Sequence, residues 1–271
     1  MGRPLSRAAQ LVAVARSSLY YQSRRQDEPV RQQLRALAQE RPRFGYRRLH
    51  VLLRRAGLRI NHKRVRRLYR EEGLALRRWR RRKRASLLRV PMVAATRPNQ
   101  RWSMDFVSEV LATGRRIRVL TVVDDYTREC AALEVDTSLP GLRVTQVLDR
   151  LAATRGLPAV IRTDNGPEFA GQTLDAWAYR RGVKLEFIRP GKPVENSYVE
   201  SFNGKLRDEC LNGNWFLTLA EARQTIEAWR TYYNGVRPHS SLGHLTPEEF
   251  ASRSQGMLQT QTCDGLNLRT V

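Results

Sequence analysis

Up to residue 74 the apolar positions recur every three or four residues, the period of a helix face. SRAAQLVAVARSSLY, within residues 5–20, reads as a short helical piece with Ser6 and Ser17 as N-caps. Residues 30–40 place Leu34, Leu37 and Ala38 on one face, and Pro42 and Gly45 interrupt the pattern. Tyr46–Arg55 follows with Leu49, Leu52 and Leu53 inward and Gly57 as its stop. Asn61 then caps HKRVRRLYREEG, with Val65, Leu68 and Tyr69 inward and Gly73 ending it. A helix, a short Gly-containing turn and an Asn-capped second helix predict a helix-turn-helix.

From Arg101 the period shortens. WSMDFVSEV, IRVLTVVDDY and ECAALEV alternate or are rich in β-branched residues, with Thr113-Gly114 and Thr127-Arg128 between them. They predict an antiparallel meander. A helix near Leu142–Arg155, a buried strand at 159–164, a helix near Thr173–Arg181 and a short strand at 184–188 come next. Gly191 and Pro193 make a loop, and an amphipathic helix follows over about Ser197–Leu211, then another over Leu219–Tyr233. From Ser252 onward the chain is polar and aperiodic, and a loose tail is expected. Strands first, then alternating helix and strand, give an α/β class: a mixed sheet flanked by helices.

Charge divides the chain at the same place. The 271 residues hold 49 Lys and Arg against 26 Asp and Glu, a net +23. Of these, 28 basic and 5 acidic residues lie in 1–100, so the whole excess sits there and 101–271 is formally neutral. That excludes a uniformly basic packaging protein and points to a polyanionic partner, nucleic acid first. Arg64, Arg66, Arg67 and Arg70 lie near the exposed side of the second helix, and Arg64 and Arg67 are expected on DNA. The run RRWRRRKR at 77–84 cannot pack on itself. Arg77, Arg78, Arg80, Arg81 and Arg82 are expected to order on phosphates, with Trp79 available to stack.

The organisation expected is a helical DNA-binding region at 1–76, an Arg-rich linker at 77–98, a catalytic core at 99–211 and a helical extension with its tail at 212–271. No apolar run reaches the ~20 residues that span a bilayer, and no membrane partner is expected. Cys130, Cys210 and Cys263 are widely spaced and read as free thiols of a reducing compartment. His50, His62, His239 and His244 show no zinc-finger spacing to any Cys pair.

Three carboxylates stand out by position. Asp105 lies inside an otherwise apolar strand, where a carboxylate is costly unless paired or metal-bound. Asp164 ends the buried strand before Asn165-Gly166-Pro167, and the ends of core strands are where α/β folds gather active sites. Glu200 lies on the amphipathic helix, where Asn196, Glu200, Asn203 and Arg207 share a face. Each has a plainer reading: Asp164 as a turn cap, Glu200 as a solvated helix residue, Asp105 as an Arg partner.

The spacing adds specificity. Fifty-eight residues separate Asp105 from Asp164, and thirty-five separate Asp164 from Glu200. With FGYRRLHVLLRR and NHKRVRRLYREEGL over 44–74, RWSMDF at 101–106, VVDDYTRE at 122–129, RTDNGPEF at 162–169, VENSYVESFNGKLRDECL at 194–211 and YYNGVRPHSSLGHLTPEEF at 232–250, the chain resembles the DDE transposase and retroviral integrase superfamily. It is more similar still to the second-frame (OrfB-type) transposases of bacterial insertion sequences built from two overlapping reading frames.

The resemblance implies a ribonuclease-H-like catalytic core preceded by a basic helix-turn-helix region. It implies a polynucleotidyl transferase that cleaves insertion-sequence ends and joins them to target DNA. Asp105, Asp164 and Glu200 are then the catalytic carboxylates and hold two Mg²⁺ or Mn²⁺ ions, hard cations that suit oxygen ligands. Arg207 is expected on phosphate near the scissile bond, Lys205 beside it, and Asn165 and Asn196 position substrate or simply form turn and cap. Asp124 and Asp125 are expected to be a hairpin feature with local Asp–Arg pairing, and His239 to pack the C-terminal segment onto the core. A homo-oligomer on DNA, and a first-reading-frame protein or a frameshift fusion, are the partners implied. A non-catalytic DNA-binding regulator and a nuclease acting on hybrids remain alternatives at this point.

Overall fold

The computed structural model describes residues 26–76, 93–188 and 196–254, with a few isolated positions before residue 18. The helical piece expected over 5–20, the Arg-rich run at 77–84 and the chain beyond 254 lie outside the described residues. The molecule divides into two compact units, Met1–Arg77 and Arg78–Val271.

In the first unit, α1 (Glu28–Glu40), α2 (Tyr46–Arg55) and α3 (His62–Glu71) follow the predicted order. Leu34, Leu49, Leu53, Val65 and Leu68 are fully buried between them. The Asn61 side chain accepts from the Lys63 amide at 2.8 Å, the predicted cap. Gly57 and Gly73 adopt φ of +89° and +67°, where a Cβ would be strained, and so end α2 and α3. Asp27 occupies the N-cap of α1 without capping it, because its carboxylate is drawn instead to Arg64 and Arg67 of α3.

The second unit is built on a five-stranded sheet in the order β3-β2-β1-β4-β5. The strands are β1 (Arg101–Val110), β2 (Arg116–Asp124), β3 (Cys130–Asp136), β4 (Val160–Thr163) and β5 (Lys184–Phe187). β1, β2 and β3 form the predicted antiparallel meander, and β4 and β5 add to β1 in parallel. One face carries Trp102, Met104, Leu120 and Val122 against α4 (Gly141–Arg155) and α5 (Gln172–Arg181). The other carries Val107, Ile117 and Val119 against α6 (Ser197–Glu209) and α7 (Leu219–Gly235). Coverage on both faces explains why β2 reads as the near-continuous apolar run VLTVV rather than as an alternation. This is a mixed α/β, ribonuclease-H-like core, with a helix-turn-helix-like helical unit N-terminal to it.

Several element ends differ from the pattern by one or two residues, and two differences change an element. α6 stops at Glu209, two residues early, and Leu211–Gly213 turns as a 3-10 helix. Residues 247–254 are helical, so the expected loose tail does not begin at Ser252. This helix, α8, opens with a reciprocal cap: the Glu249 amide donates to the Thr246 hydroxyl at 3.2 Å and the Thr246 amide to the Glu249 carboxylate at 2.7 Å. Thr246-Pro247-Glu248-Glu249 carried that signal in the sequence. Cys130 and Cys210 are free and buried, and burial pushes both thiols well above their ordinary value. No helix among the described residues is long and apolar enough to cross a membrane.

Candidate active site

β1 and β4 run parallel with Ser103 opposite Arg162. Continued by two residues, that register sets Asp105 opposite Asp164 on the face covered by α6. Asp105 is half-buried. One carboxylate oxygen accepts from the Phe106 amide at 2.7 Å, the other from the Asn203 side-chain amide at 2.8 Å. Burial pushes the Asp105 carboxyl above its ordinary value, and the negative charges of Asp164 and Glu200 push the same way. Asp164 and Glu200 therefore both lie within electrostatic reach of Asp105.

Asp164 follows the last residue of β4 and closes its own turn, accepting from the Gly166 amide at 3.0 Å. A Cβ at 166 would stand 3.0 Å from that same oxygen, a contact tight enough that the carboxylate would have to shift. The loop is clamped from the opposite face of β1. Phe169 stacks on Phe106 with centroids 4.8 Å apart, and the Arg118 guanidinium lies over Phe106 at 4.2 Å while pairing with Glu168. Asn165 donates to the Ile188 carbonyl at 3.0 Å, which fastens the turn.

α6 carries Glu200 in its first turn. Val199, Phe202, Leu206 and Cys210 form its buried seam. Asn196, Glu200, Asn203 and Arg207 run along the edge of that seam as predicted, with the two asparagines buried and Glu200 and Arg207 exposed. Lys205 is half-buried and donates to Ser201 at 3.0 Å. The Arg128 guanidinium lies 3.7 Å from the Tyr198 ring centroid, which ties the start of α6 to the turn after β2. The side-chain oxygens of Asn196 and Asn203 are buried without a hydrogen-bond partner among the described residues.

Among the described residues no group of three or more His, Cys, Asp or Glu stands close enough to hold a metal ion. The donors nevertheless fit a hard divalent cation in kind: three carboxylates, with two unpartnered amide oxygens on the helix that bears one of them.

Asp124 and Asp125 are spent on structure. Asp124 accepts from the Tyr126 and Thr127 amides at 2.8 and 3.1 Å and from the Asn99 amide at 2.8 Å. Asp125 accepts from Arg101 at 2.6 Å and from the Ser103 hydroxyl at 2.7 Å. The expected local pairing within the hairpin is thus corrected. The partner of Asp125 is Arg101, 24 residues away, while Arg128 adopts φ +63° and lies over the Tyr198 ring. His239 is buried edge-on to Tyr233 at 4.8 Å, which packs the C-terminal segment on the core. Sequence reading assigned no function to Arg101, Ser103, Arg118 or Asn203. The signal for the first three was a polar residue at a core-strand position.

Residues 95–193 and 181–247 match two families described as integrase core domains, and residues 25–84 match an HTH-like domain. The chain is 52% identical to the "Insertion element IS407 uncharacterized 31.7 kDa protein" of Burkholderia multivorans, over 91% of this chain and 90% of that one. It belongs to the retroviral-integrase superfamily of DDE-type integrases and transposases. Within that superfamily it is related to bacterial insertion-sequence proteins. The transposase for insertion sequence element IS904 of Lactococcus lactis is 29% identical over 77% of this chain and 87% of the relative. A chain of the simian T-cell lymphotropic virus intasome, in complex with the PP2A regulatory subunit B56 gamma, shares the fold, with a TM-score of 0.55 at 18% identity over 63% of this chain and 60% of that one.

Proposed function

We propose that this chain is a transposase of the second-frame type, a polynucleotidyl transferase that cleaves insertion-sequence ends and joins them to target DNA. The observation that carries the reading is Asp105: a carboxyl raised by burial, facing Asp164 and Glu200, on a superfamily core. In this reading Asp105, Asp164 and Glu200 are the catalytic and metal-holding residues. Asp105, Asp164 and Glu200 would together hold two divalent ions. Bound Mg²⁺ or Mn²⁺ would supply activation of the attacking water or 3′-hydroxyl and stabilisation of the leaving oxygen.

The chain's own groups do the rest. Asn203 orients the Asp105 carboxylate. The Asp164 turn, closed at Gly166 and clamped through Phe169, keeps that carboxylate at the end of β4. Arg207, exposed along α6 beyond Glu200, meets a phosphate near the scissile bond, and Lys205 contributes beside it. The Arg-rich segment with Arg77, Arg78, Arg80, Arg81 and Arg82 adds sequence-independent grip between a DNA-binding region at 1–76 and a core at 99–211, with 212–271 as an extension. Joining two ends calls for at least two copies of the chain on DNA, together with a first-frame protein or a frameshift fusion. Such a protein works in the bacterial cytoplasm, at the nucleoid.

The test is a strand-transfer assay with a labelled element-end duplex and a supercoiled target. Joined product is expected with Mg²⁺ or Mn²⁺ and none with a chelator. Absence of product from both the chain and its first-frame fusion contradicts the reading.

A further inference from the structure

The helical unit Met1–Arg77 contains five acids: Asp27, Glu28, Glu40, Glu71 and Glu72. Four of them join one ion-pair network between α1 and α3. Asp27 takes Arg64 at 2.7 Å and Arg67 at 2.5 Å. Glu71 takes Arg67 at 2.8 Å and also pairs with Arg31. Glu72 takes Arg35 at 2.5 Å and Arg31 at 2.6 Å, and Glu28 lies 3.6 Å from Arg35. The Arg35 and Arg31 guanidiniums hold the Glu72 carboxyl at about 2. Asp27 is lowered as well, by Arg67 and then Arg64.

Arg64 and Arg67 are therefore occupied. Arg64 gives one nitrogen to Asp27 and another to the Gln26 carbonyl at 2.7 Å, and Arg67 divides its guanidinium between Asp27 and Glu71. A phosphate reaching either would have to displace a carboxylate already bound. Lys63, Arg66 and Arg70 differ. All three are exposed. They fall at i, i+3 and i+7, one stripe about 10 Å long at ~1.5 Å per residue. Among the described residues no acid forms an ion pair with any of them. Across the turn, Arg66 and Arg47 approach the same Tyr46 ring, with guanidinium carbons 6.0 and 5.9 Å from its centroid. That ring thus takes one cation from each of the two neighbouring helices.

We propose that the DNA-facing surface of the helical unit is the Lys63–Arg66–Arg70 stripe extended by Arg47 over Tyr46, and that Arg64 and Arg67 are structural clamps with no DNA contact. The proposal rests on the reading of this chain as a DNA-binding transposase and adds which face does the binding. It reassigns Arg64 and Arg67, which the sequence pattern alone put on DNA. The acid network makes the charge of the unit directional, with the compensated arginines on the α1 side of α3 and the uncompensated cations on the stripe.

The test is fluorescence anisotropy of the full chain on duplex DNA across a salt series, with circular dichroism melting of each variant. Arg66→Ala with Arg70→Ala is expected to flatten the slope of log affinity against log salt by about one unit per residue. Arg64→Ala and Arg67→Ala are expected to leave the slope unchanged and lower the melting temperature. Asp27→Asn keeps both arginines, so it guards against misfolded alanine variants. It is expected to give an equal or steeper slope. A flattened slope for Arg64→Ala, Arg67→Ala or Asp27→Asn, or an unchanged slope for the Arg66 and Arg70 pair, overturns the face assignment while leaving DNA binding intact. An unmutated chain without salt-dependent DNA binding overturns the underlying reading, and the assignment with it.

Discussion

Asn203 donates its side-chain amide to the Asp105 carboxylate at 2.8 Å, so α6 is fastened to β1 at the residue on which the chemistry is proposed to turn. Hydrogen bonds to an ionised acceptor are the stronger kind, and this one favours the charged form of Asp105 against the burial that disfavours it. Asn203→Ala is predicted to weaken Mn²⁺ binding by about 10–100-fold, the usual loss when the partner of a ligand is removed. Calorimetric titration checks this, with circular dichroism to show that the fold is retained.

Asp105 is predicted to cost the apo protein stability. Its folded carboxyl lies above the unfolded value, so its ionised form opposes folding. The penalty is absent at pH below the unfolded value and complete above the folded one. Asp105→Asn is expected to raise the apo melting temperature at pH 7, by about 2–4 °C for each kcal/mol regained, and to remove metal binding. The gain should vanish at low pH, where the wild-type carboxyl is protonated too.

The helical unit should show the opposite pH dependence. Glu72 is held at about 2 against an ordinary 4.5, and Asp27 and Glu71 are lowered with it. Their contribution is present above the ordinary value and lost as pH falls through the folded one. Resistance of α1–α3 to urea, followed residue by residue by NMR, is expected to decline from about pH 4.5 towards 2. Arg67→Ala should reduce that decline.

Arg237 is 1% exposed and grips Glu209 through two hydrogen bonds of 2.5 and 2.6 Å, joining the segment after α7 to the end of α6. Removing one partner of such a pair leaves a buried charge. Arg237→Ala is predicted to destabilise the core by about 3–5 kcal/mol. Replacing both residues with Met should cost much less. Urea denaturation of the two variants distinguishes these outcomes.

Strands and helices were legible where one face is buried and the period is strong, as in β1 with Trp102 and Met104 inward and in the Asn61-capped α3. Asp105 stands out in the sequence because a charge is unexpected inside an apolar strand, whereas Asp164 and Glu200 stand out by their spacing from it and from each other. What escaped was pairing across distance. Asp27 and Arg67 are 40 positions apart, and nothing in a helical wheel reveals that an Arg beside the buried seam has an acid waiting. The pairing of Asp125 with Arg101 is another such contact. α8 was lost for a different reason: its reciprocal cap at Thr246 and Glu249 lay in a polar stretch where no apolar period announced a helix.

The most direct measurement is metal-dependent cleavage of element-end DNA by Glu200→Gln beside the unmutated chain, with binding measured on the same duplex. The substitution keeps the shape of the exposed α6 side chain and removes its charge. Cleavage with Mn²⁺ is predicted to disappear while affinity for the duplex is unchanged. Cleavage that survives in Glu200→Gln would contradict the account.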